Sequence, residues 1–299
     1  MYHEFYGLKE PPFSLTPDPR YVFKTESYLE TMANLRYGIE HCKGIIAVTG
    51  EVGTGKTTIL RSAIHQFGRD VACVYLFNPS LTADEFFELF SSGLSLGVPR
   101  NAGKPETITA LAALLATRHA KGFRTVLIVD EAQGLSLTLL EEIRLLANYE
   151  TNSDKLLQII LCGQPELRQT LNLPGCRQLK QRISLRCSVK PLPSSDVEKY
   201  IRFGLKASGA ERVDLFDSQA IRIITQVSAG IPRIINNICD NALLYGFASG
   251  SNTIDASLVE EVIEALALDP YDPLGDGCGR AAVSLDAGSL QDCDPRNTQ

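Results

Sequence analysis

The chain has 299 residues, of which 44% are hydrophobic, and its formal net charge is −6 at pH 7. The apolar content is enough for one large domain or two smaller ones, and no apolar run approaches the roughly 18 residues that span a bilayer. Residues 269–299 hold six acids and two bases, so the rest is nearly neutral, which argues against a protein coated in phosphate-binding charge. Eight scattered cysteines without a C-x-x-C pair predict free thiols in a reducing compartment, with neither disulfides nor a zinc site.

Apolar runs that alternate with helical patterns predict an α/β domain in the first two thirds of the chain. Helical patterns begin near residues 83, 107 and 136, and such alternation indicates a parallel sheet covered by helices on both faces. We place this core at 44–190 and assign 1–43 to the same module. The predicted strands are GIIAVTG from 44, VACVYLF from 71, TVLIVD from 125, LLQIILCG from 156 and a last strand around RCSVK.

After the last strand the pattern becomes helical. A capping box of Ser195 and Glu198 predicts the start of the first of four helices, and capping aspartates or a first-turn proline begin the others. These helices predict a small all-helical domain at 191–268. Residues 269–299 are rich in Gly, Asp and Ser and poor in large apolar side chains, so we expect a disordered acidic tail.

A phosphate-binding loop is the strongest motif. Residues 50–57 read G-E-V-G-T-G-K-T, which matches G-x-x-x-x-G-K-[ST] between a predicted strand and a helix and so argues against a chance glycine-rich turn. Backbone N–H groups and the helix N-terminus would surround the phosphates of ATP. Lys56 would reach the β- and γ-phosphates, and the Thr57 hydroxyl would ligate Mg²⁺. The residues assigned to the nucleotide are Gly50, Glu51, Val52, Gly53, Thr54, Gly55, Lys56, Thr57 and Thr58.

Polar residues after two other strands are candidates for catalysis. In VDEAQ, Asp130 suits the Mg²⁺ shell, normally through water, and Glu131 suits a general base for the attacking water. An acidic helix start is the alternative, because carboxylates favour helix N-termini. Gln164 could hydrogen-bond the γ-phosphate or the water, or could be a turn residue before a proline. Arg233 in GIPR could reach the phosphates from the helical domain, or could be a plain surface arginine.

As a set, these stretches resemble the AAA+ ATPases, and within them the general secretion pathway protein A (ExeA-like) branch. The resemblance covers residues 2 to about 265. It implies an α/β AAA+ core with a parallel five-stranded sheet, a C-terminal helical lid, Mg²⁺-dependent ATP hydrolysis and a homo-oligomer. The matching stretches are FYGLKEPPFSLTPDPRYVF, LRYGIE, TGEVGTGKTT, VDEAQ, LLANYETNSDKLLQIILCGQPELR, LKQRI and GIPRIINNICDNALL.

Two departures from that branch limit what the resemblance implies. Its members usually continue through a membrane helix into a peptidoglycan-binding part, whereas this sequence ends in a polar tail, so we do not expect cell-wall binding by this polypeptide alone. Gly134 stands where the family tends to have Asn. Without a transmembrane or secretory signal, we expect a cytoplasmic protein, free or peripheral at the inner membrane.

The basic segment QLKQRISLR, residues 178–186, has no acid. The resemblance places in LKQRI, at Arg182, the arginine that stabilises negative charge at the nucleotide of a neighbouring subunit. Arg186 is the fallback, and a solvated basic face is the alternative. The wider basic stretch, Arg168 to Lys190, is the natural candidate for DNA, although it lacks aromatic residues that would stack on single strands.

Three functions fit these patterns. We expect an ATPase that couples turnover to the assembly of a secretion or cell-envelope complex, with a protein partner from that system. The alternatives are a DNA-directed ATPase of the transposition target-selector type, which is not favoured, and a nucleotide-gated scaffold, against which Glu131 argues. A helicase would need a second strand-helix domain, and the sequence offers only helices there.

The N-terminal segment is predicted to help hold the adenine. Proline-rich turns with aromatics in PPFSLTPDPRYVF, together with Leu35, Tyr37 and Gly38, would form a rigid apolar wall for the base. Ordinary core packing is the alternative.

Overall fold

Five parallel strands form one sheet, which confirms the predicted fold class. From one edge to the other the order is β2-β3-β4-β1-β5, so β1 lies between β4 and β5. Almost every residue of β1, β3 and β4 is buried, because helices cover both faces of these central strands. In chain order the strands are β1 Ile45–Gly50, β2 Val71–Leu76, β3 Arg124–Val129, β4 Gln158–Gly163 and β5 Ile183–Val189.

Twelve α-helices lie within the residues that the computed structural model describes, which are 1–14, 21–77, 81–99 and 103–268. The predicted tail at 269–299 and part of the predicted adenine wall, 15–20, lie outside the described residues. In chain order the helices are α1 Tyr2–Phe5, α2 Glu26–Glu40, α3 Lys56–Gln66, α4 Ala83–Gly93, α5 Lys104–Ala120, α6 Leu137–Leu146, α7 Glu166–Asn172, α8 Arg177–Arg182, α9 Ser194–Ala207, α10 Ser218–Ser228, α11 Pro232–Ser249 and α12 Ala256–Ala265.

Helices on the two faces of the sheet give the domain two separate apolar layers. Successive side chains of a strand point to opposite faces, so Ile46 and Val48 pack towards α2 and α3. Ala47 instead belongs to the layer that α4 to α8 cover, together with Leu161 of β4. This sandwich leaves the carboxyl ends of β1, β3 and β4 next to one another at one edge of the sheet.

The four C-terminal helices, α9 to α12, enclose a core of their own, as predicted. Asp217 caps α10 and Asp255 caps α12, each by accepting a hydrogen bond from a backbone N–H of the first turn. Of the helices in the described ranges, none combines the length and hydropathy that a membrane crossing requires.

The predicted capping box of Ser195 and Glu198 is wrong. A capping box would make Ser195 the N-cap, but the N-cap lies two residues earlier, at Pro193, so Ser195 already lies inside the first turn. Glu198 instead pairs with Arg202, one turn further along the exposed face. A Ser-x-x-Glu pattern thus occurs here within a helix, which starts after Pro193 without a side-chain cap.

The start of the chain packs against the helical domain. Tyr6, Leu8 and Phe13 are buried in its core. The Tyr6 hydroxyl donates to the carbonyl oxygen of Ser251 at 2.9 Å. A Cβ at Gly204 would lie 2.9 Å from the ring of Phe13, so the phenylalanine fills the space that this glycine leaves. Within the predicted 1–43 segment, the start of the chain therefore contacts the core of the helical domain, whereas α2 contacts the sheet. The domain boundaries stay a prediction.

Candidate active site

The loop between β1 and α3 has the backbone that its motif predicts. Gly53 and Gly55 have φ values of 78° and 90°, a region that glycine enters without steric cost. Gly55 is the N-cap of α3, so the unpaired N–H groups of the first helical turn begin here. At Gly50 the constraint is space, because a Cβ would lie 2.5 Å from the carbonyl oxygen of Val189. The result is a helix N-terminus exposed to an anion.

Lys56 is only 6% exposed and points back into this loop. Its Nζ donates to the carbonyl oxygens of Gly50 at 2.8 Å and Glu51 at 2.9 Å. An ammonium group carries three N–H donors. Because these two partners are neutral carbonyls, the buried charge would gain most from an incoming anion.

Asp130, at the end of β3, is 3% exposed and accepts three hydrogen bonds. Its Oδ2 accepts from the Thr57 hydroxyl at 2.8 Å and from the Tyr75 hydroxyl at 2.6 Å. Its Oδ1 accepts from the backbone N–H of Glu131 at 3.0 Å. Burial, and then the hydrogen bond to Asp130, raise the pKa of the Tyr75 phenol, which stays a donor. A carboxylate beside a hydroxyl is a donor set that fits Mg²⁺, whose remaining ligands come from phosphates and water.

Glu131 is held by two glutamine side chains. Its backbone is left-handed, with φ 55° and ψ 36°, a strain of order 1–3 kcal/mol of the kind that clusters at active sites. Its Oε2 accepts from Gln133 Nε2 at 2.6 Å and from Gln164 Nε2 at 3.3 Å. The structure thus brings the two predicted residues Glu131 and Gln164 together. Gln133 is the residue that sequence reasoning missed, although VDEAQ contains it.

The start of α11 lies directly on the phosphate loop. The backbone N–H of Arg233 donates to the carbonyl oxygen of Gly53 at 3.2 Å. A Cβ at Gly53 would lie 2.8 Å from Cβ of Arg233, so no larger residue fits between loop and helix. Arg233 lines one cleft with Lys56 and Glu131, as its predicted role requires.

This cleft has a volume of about 1230 Å³ and separates the sheet from the helical domain. Prolines and aromatics of the N-terminal segment line the same cleft as the phosphate loop, and their contact with adenine stays a prediction. These wall residues are Pro11, Pro12, Phe13, Tyr21, Val22, Phe23 and Tyr28.

Three further residues of the predicted adenine wall lie elsewhere. Leu35 is fully buried in the layer between α2 and the sheet. A Cβ at Gly38 would lie 2.5 Å from Ile46, so this glycine allows α2 to approach β1. Tyr37 is exposed and stacks on His41. These positions correct the expectation, because Leu35 and Gly38 lie on the face of α2 that packs on the sheet and Tyr37 lies on the exposed surface.

Arg182 is far from these groups. It ends α8, and the next residue, Ile183, pairs with Ile45 at the start of β1, whereas Val189 pairs with Gly50 at its end. At about 3.3 Å per residue, the strand separates Arg182 from its own phosphate loop by roughly 16 Å. The structure therefore does not bring Arg182 to the other predicted catalytic residues of the same chain.

Arg182 is half-buried, in a basic segment whose Lys180 and Arg186 are exposed. The pKa of Glu150 is lowered mainly by its hydrogen bond to Lys155 and, more weakly, by the charge of Arg182. Arg186 is exposed and donates to the carbonyl oxygen of Lys180 at 3.3 Å. The fallback residue thus lies on the same surface, and both interpretations of the segment stay open.

Comparison with known proteins identifies a family and two relatives. Residues 39–171 match the family model of the AAA domain. The chain is 42% identical over 254 residues to general secretion pathway protein A of Aeromonas hydrophila, covering 85% of this chain and 46% of that protein. It is 31% identical over 140 residues to the Mu-like prophage FluMu DNA transposition protein B of Haemophilus influenzae, covering 46% of this chain and 42% of that protein. The chain spans less than half the length of these relatives.

Solved structures show the same fold at low identity. An ORC structure from Drosophila, bound to DNA, has a TM-score of 0.66 at 17% identity over 87% of this chain and 65% of that chain. Cdc6p of Pyrobaculum aerophilum has a TM-score of 0.66 at 15% identity, with 85% and 70% covered. A RuvB variant of Thermotoga maritima has 0.53 at 15% identity, with 82% and 70% covered. The chain is therefore an AAA domain protein and a homologue of general secretion pathway protein A.

Proposed function

We propose that this protein is a Mg²⁺-dependent ATPase that couples ATP turnover to the assembly of a secretion or cell-envelope complex. The observation that carries the ATPase proposal is the convergence of a phosphate loop, a buried Asp130 bound to Thr57, and an adjacent Glu131 on one cleft. Because β3, β4 and β1 are neighbours in the sheet, their carboxyl ends bring these distant residues to one edge, where open α/β sheets bind ligands.

The residues divide into ground-state and transition-state roles. Lys56 and the N–H groups at the start of α3 bind the phosphates, while the N-terminal wall holds the adenine. Thr57 and Asp130 would hold Mg²⁺, which when bound neutralises charge on the phosphate oxygens. Glu131 orients the attacking water and accepts its proton, and Gln164 hydrogen-bonds the water or the γ-phosphate. Arg233 senses the phosphates from α11.

A homo-oligomer completes the site. The separation of Arg182 from its own phosphate loop means that it can act on a nucleotide only when a second copy presents it. In that position the guanidinium stabilises negative charge that develops on the γ-phosphate. The basic surface would then face a neighbouring subunit.

The ATPase proposal is tested by phosphate release and nucleotide binding of the full chain. Lys56→Ala should lose most ATP binding, because it removes the cation that meets the phosphates. Glu131→Gln should bind ATP normally and hydrolyse it about 10²- to 10⁴-fold more slowly, because the base acts only during reaction. Wild-type turnover by Glu131→Gln would show that another group is the base, and a wild-type protein that binds ATP without turnover would support the scaffold alternative.

The assembly role is supported by the 42% identity to general secretion pathway protein A. We expect a protein partner from a secretion or envelope system and action in the cytoplasm, free or at the inner membrane. Crosslinking of the Glu131→Gln variant in ATP, in cells of the source organism, tests it. Capture of envelope or secretion components supports the proposal, whereas capture of a transposase rejects it.

A second candidate, DNA-directed ATPase activity, is favoured by the match to DNA transposition protein B. The exposed Lys180 and Arg186, with the half-buried Arg182, would contact phosphates. Arg168, which belongs to the same basic stretch, is engaged elsewhere, because its Nε donates to the Thr49 hydroxyl at 2.8 Å. Binding to duplex DNA that weakens steeply with salt and is lost in Lys180→Ala/Arg186→Ala would support this candidate. Equal binding by that variant would reject the surface as the contact.

A further inference from the structure

Gln133 makes a contact that connects two strands of the site. It lies in the 3-10 turn Ala132–Gly134 that follows Glu131. Its Oε1 accepts from the backbone N–H of Gln164 at 3.0 Å, and its Nε2 donates to Glu131 Oε2 at 2.6 Å. One side-chain amide thus joins the carboxyl end of β4 to the side chain that follows β3.

The orientation of this amide is determined by chemistry. A backbone N–H can donate only to the carbonyl oxygen of the glutamine, and a carboxylate can accept only from its NH₂ group. Exchanging the two ends would lose both hydrogen bonds and place oxygen against the Glu131 carboxylate. The bond to the carboxylate is charge-assisted, the stronger class of hydrogen bond.

Gly163 provides the space for this contact. A Cβ there would lie 2.6 Å from Gln133 Oε1 and 3.2 Å from the Gln133 backbone nitrogen. The φ of Gly163 is not in the left-handed region, so its backbone does not demand glycine. We conclude that glycine is required at position 163, at the end of β4, because the Gln133 amide occupies the space that a side chain would need.

Glu131 needs such support, because its carboxylate is carried by three rotatable bonds on a strained, left-handed residue. Both amides that contact it donate to the same atom, Oε2. The remaining oxygen, Oε1, has no hydrogen-bond partner among the residues that the structure describes. The two hydrogen bonds fix the position of Oε2, and this in turn determines the direction in which Oε1 points.

We propose that Gln133 is a positioning residue that holds the Glu131 carboxylate for the attacking water and couples its position to Gln164. The inference rests on the proposed ATPase function. A base misplaced by about an ångström costs up to roughly 10²-fold in rate. Gln133→Ala should therefore lower kcat about 10- to 100-fold and leave the KM for ATP within about twofold.

Two further variants separate positioning from structural support. Gln133→Glu keeps the size and the acceptor for the Gln164 N–H, but replaces the donor to Glu131 by a second carboxylate. It should lose activity at least as strongly as Gln133→Ala, whereas a residue that only supports β4 would leave Gln133→Glu active. Gln169→Ala, an exposed glutamine on α7, is the matched control and should match the wild type.

A double-mutant cycle tests whether Gln133 acts through Glu131. In single-turnover experiments, Gln133→Ala should add less than about twofold to the loss already caused by Glu131→Gln, because residues that act as a unit are not additive. A further loss equal to that of Gln133→Ala alone would overturn the proposal.

A measurement without turnover separates this inference from the ATPase proposal. In protein labelled with ¹⁵N at glutamine side chains, the Gln133 NH₂ resonances should shift in Glu131→Gln, while those of Gln169 stay unchanged. Unshifted Gln133 resonances would overturn the proposed hold of Gln133 on Glu131, even if the protein hydrolyses ATP. Shifted resonances in a protein without ATPase activity would confirm the hold of Gln133 on Glu131 and reject the proposed function.

Discussion

Replacing Arg182 by alanine tests whether this arginine acts on the nucleotide of a neighbouring copy. Strand pairing places Ile183 beside Ile45, at the opposite end of β1 from Gly50. The strand between them covers roughly 16 Å, well beyond the reach of one arginine side chain. An effect of Arg182 on hydrolysis must therefore cross a subunit boundary.

The expected loss follows from the transition state that the arginine would stabilise. A guanidinium that meets charge developing on the γ-phosphate contributes about 10³-fold or more in kcat, equivalent to about 4 kcal/mol. Arg182→Ala should lose that factor. Its affinity for ATP should stay within about twofold, because the phosphate loop of each subunit is intact and the contact strengthens only during reaction.

Subunit mixing provides the assay. Arg182→Ala and Glu131→Gln are each inactive alone, but a mixed assembly contains sites in which an intact Glu131 meets an intact Arg182 from the next subunit. With equal amounts and random head-to-tail assembly, about one interface in four is of this kind. Phosphate release should therefore recover to about a quarter of the wild-type rate.

Two controls decide whether the effect belongs to Arg182. Arg177→Ala removes a positive charge from the other end of α8 and should keep most activity, and a loss equal to that of Arg182→Ala would indicate a general role of the basic surface. Arg186→Ala tests the fallback residue in the same way. Co-assembly without any recovered activity would refute action across the boundary.

Three further predictions concern the surroundings of the site. Gly53→Ala should weaken ATP binding and destabilise the fold by about 1–3 kcal/mol in urea unfolding, because it adds a Cβ at positive φ against Arg233; an unchanged midpoint would contradict this. Phe13→Ala should cost about 3–5 kcal/mol, because its ring is 2% exposed in the helical core; a smaller loss would show that the N-terminal segment is not part of that core. Tyr75→Phe should cost about 1.5–3 kcal/mol by removing a hydrogen bond to buried Asp130; equal stability of variant and wild type would mean that this bond contributes nothing net.

The N-terminal segment shows how a prediction changes when packing is known. Its prolines and aromatics predicted a wall for the base, and Pro11 to Phe13 do line the cleft. The same segment also fills the helical core through Tyr6 and Phe13. Its deletion should therefore destabilise the helical domain as well as weaken nucleotide affinity, and a loss of affinity alone would contradict this expectation.

In the helical domain, two predicted helix caps are confirmed and one predicted capping box is wrong. Asp217 and Asp255 cap their helices as predicted, because a side chain and the N–H three residues on are enough to define the cap. The Ser195–Glu198 pattern failed, because the N-cap lies two residues earlier, at Pro193, and Ser195 is already helical.

By itself, the sequence determined the phosphate loop, the buried strands and the helical domain, because the spacing of glycines in a motif and the period of apolar residues are local signals. It also identified Asp130, Glu131 and Gln164 as strand-end residues. Only the tertiary structure decided which of these side chains contact one another and which residue connects them. Gln133 contacts Gln164 across 31 positions of the chain because β3 and β4 are neighbours, and Arg182 lies a strand length from its own loop because β5 is parallel to β1. Such contacts depend on strand order and register, which join residues too distant in the chain to leave a local pattern.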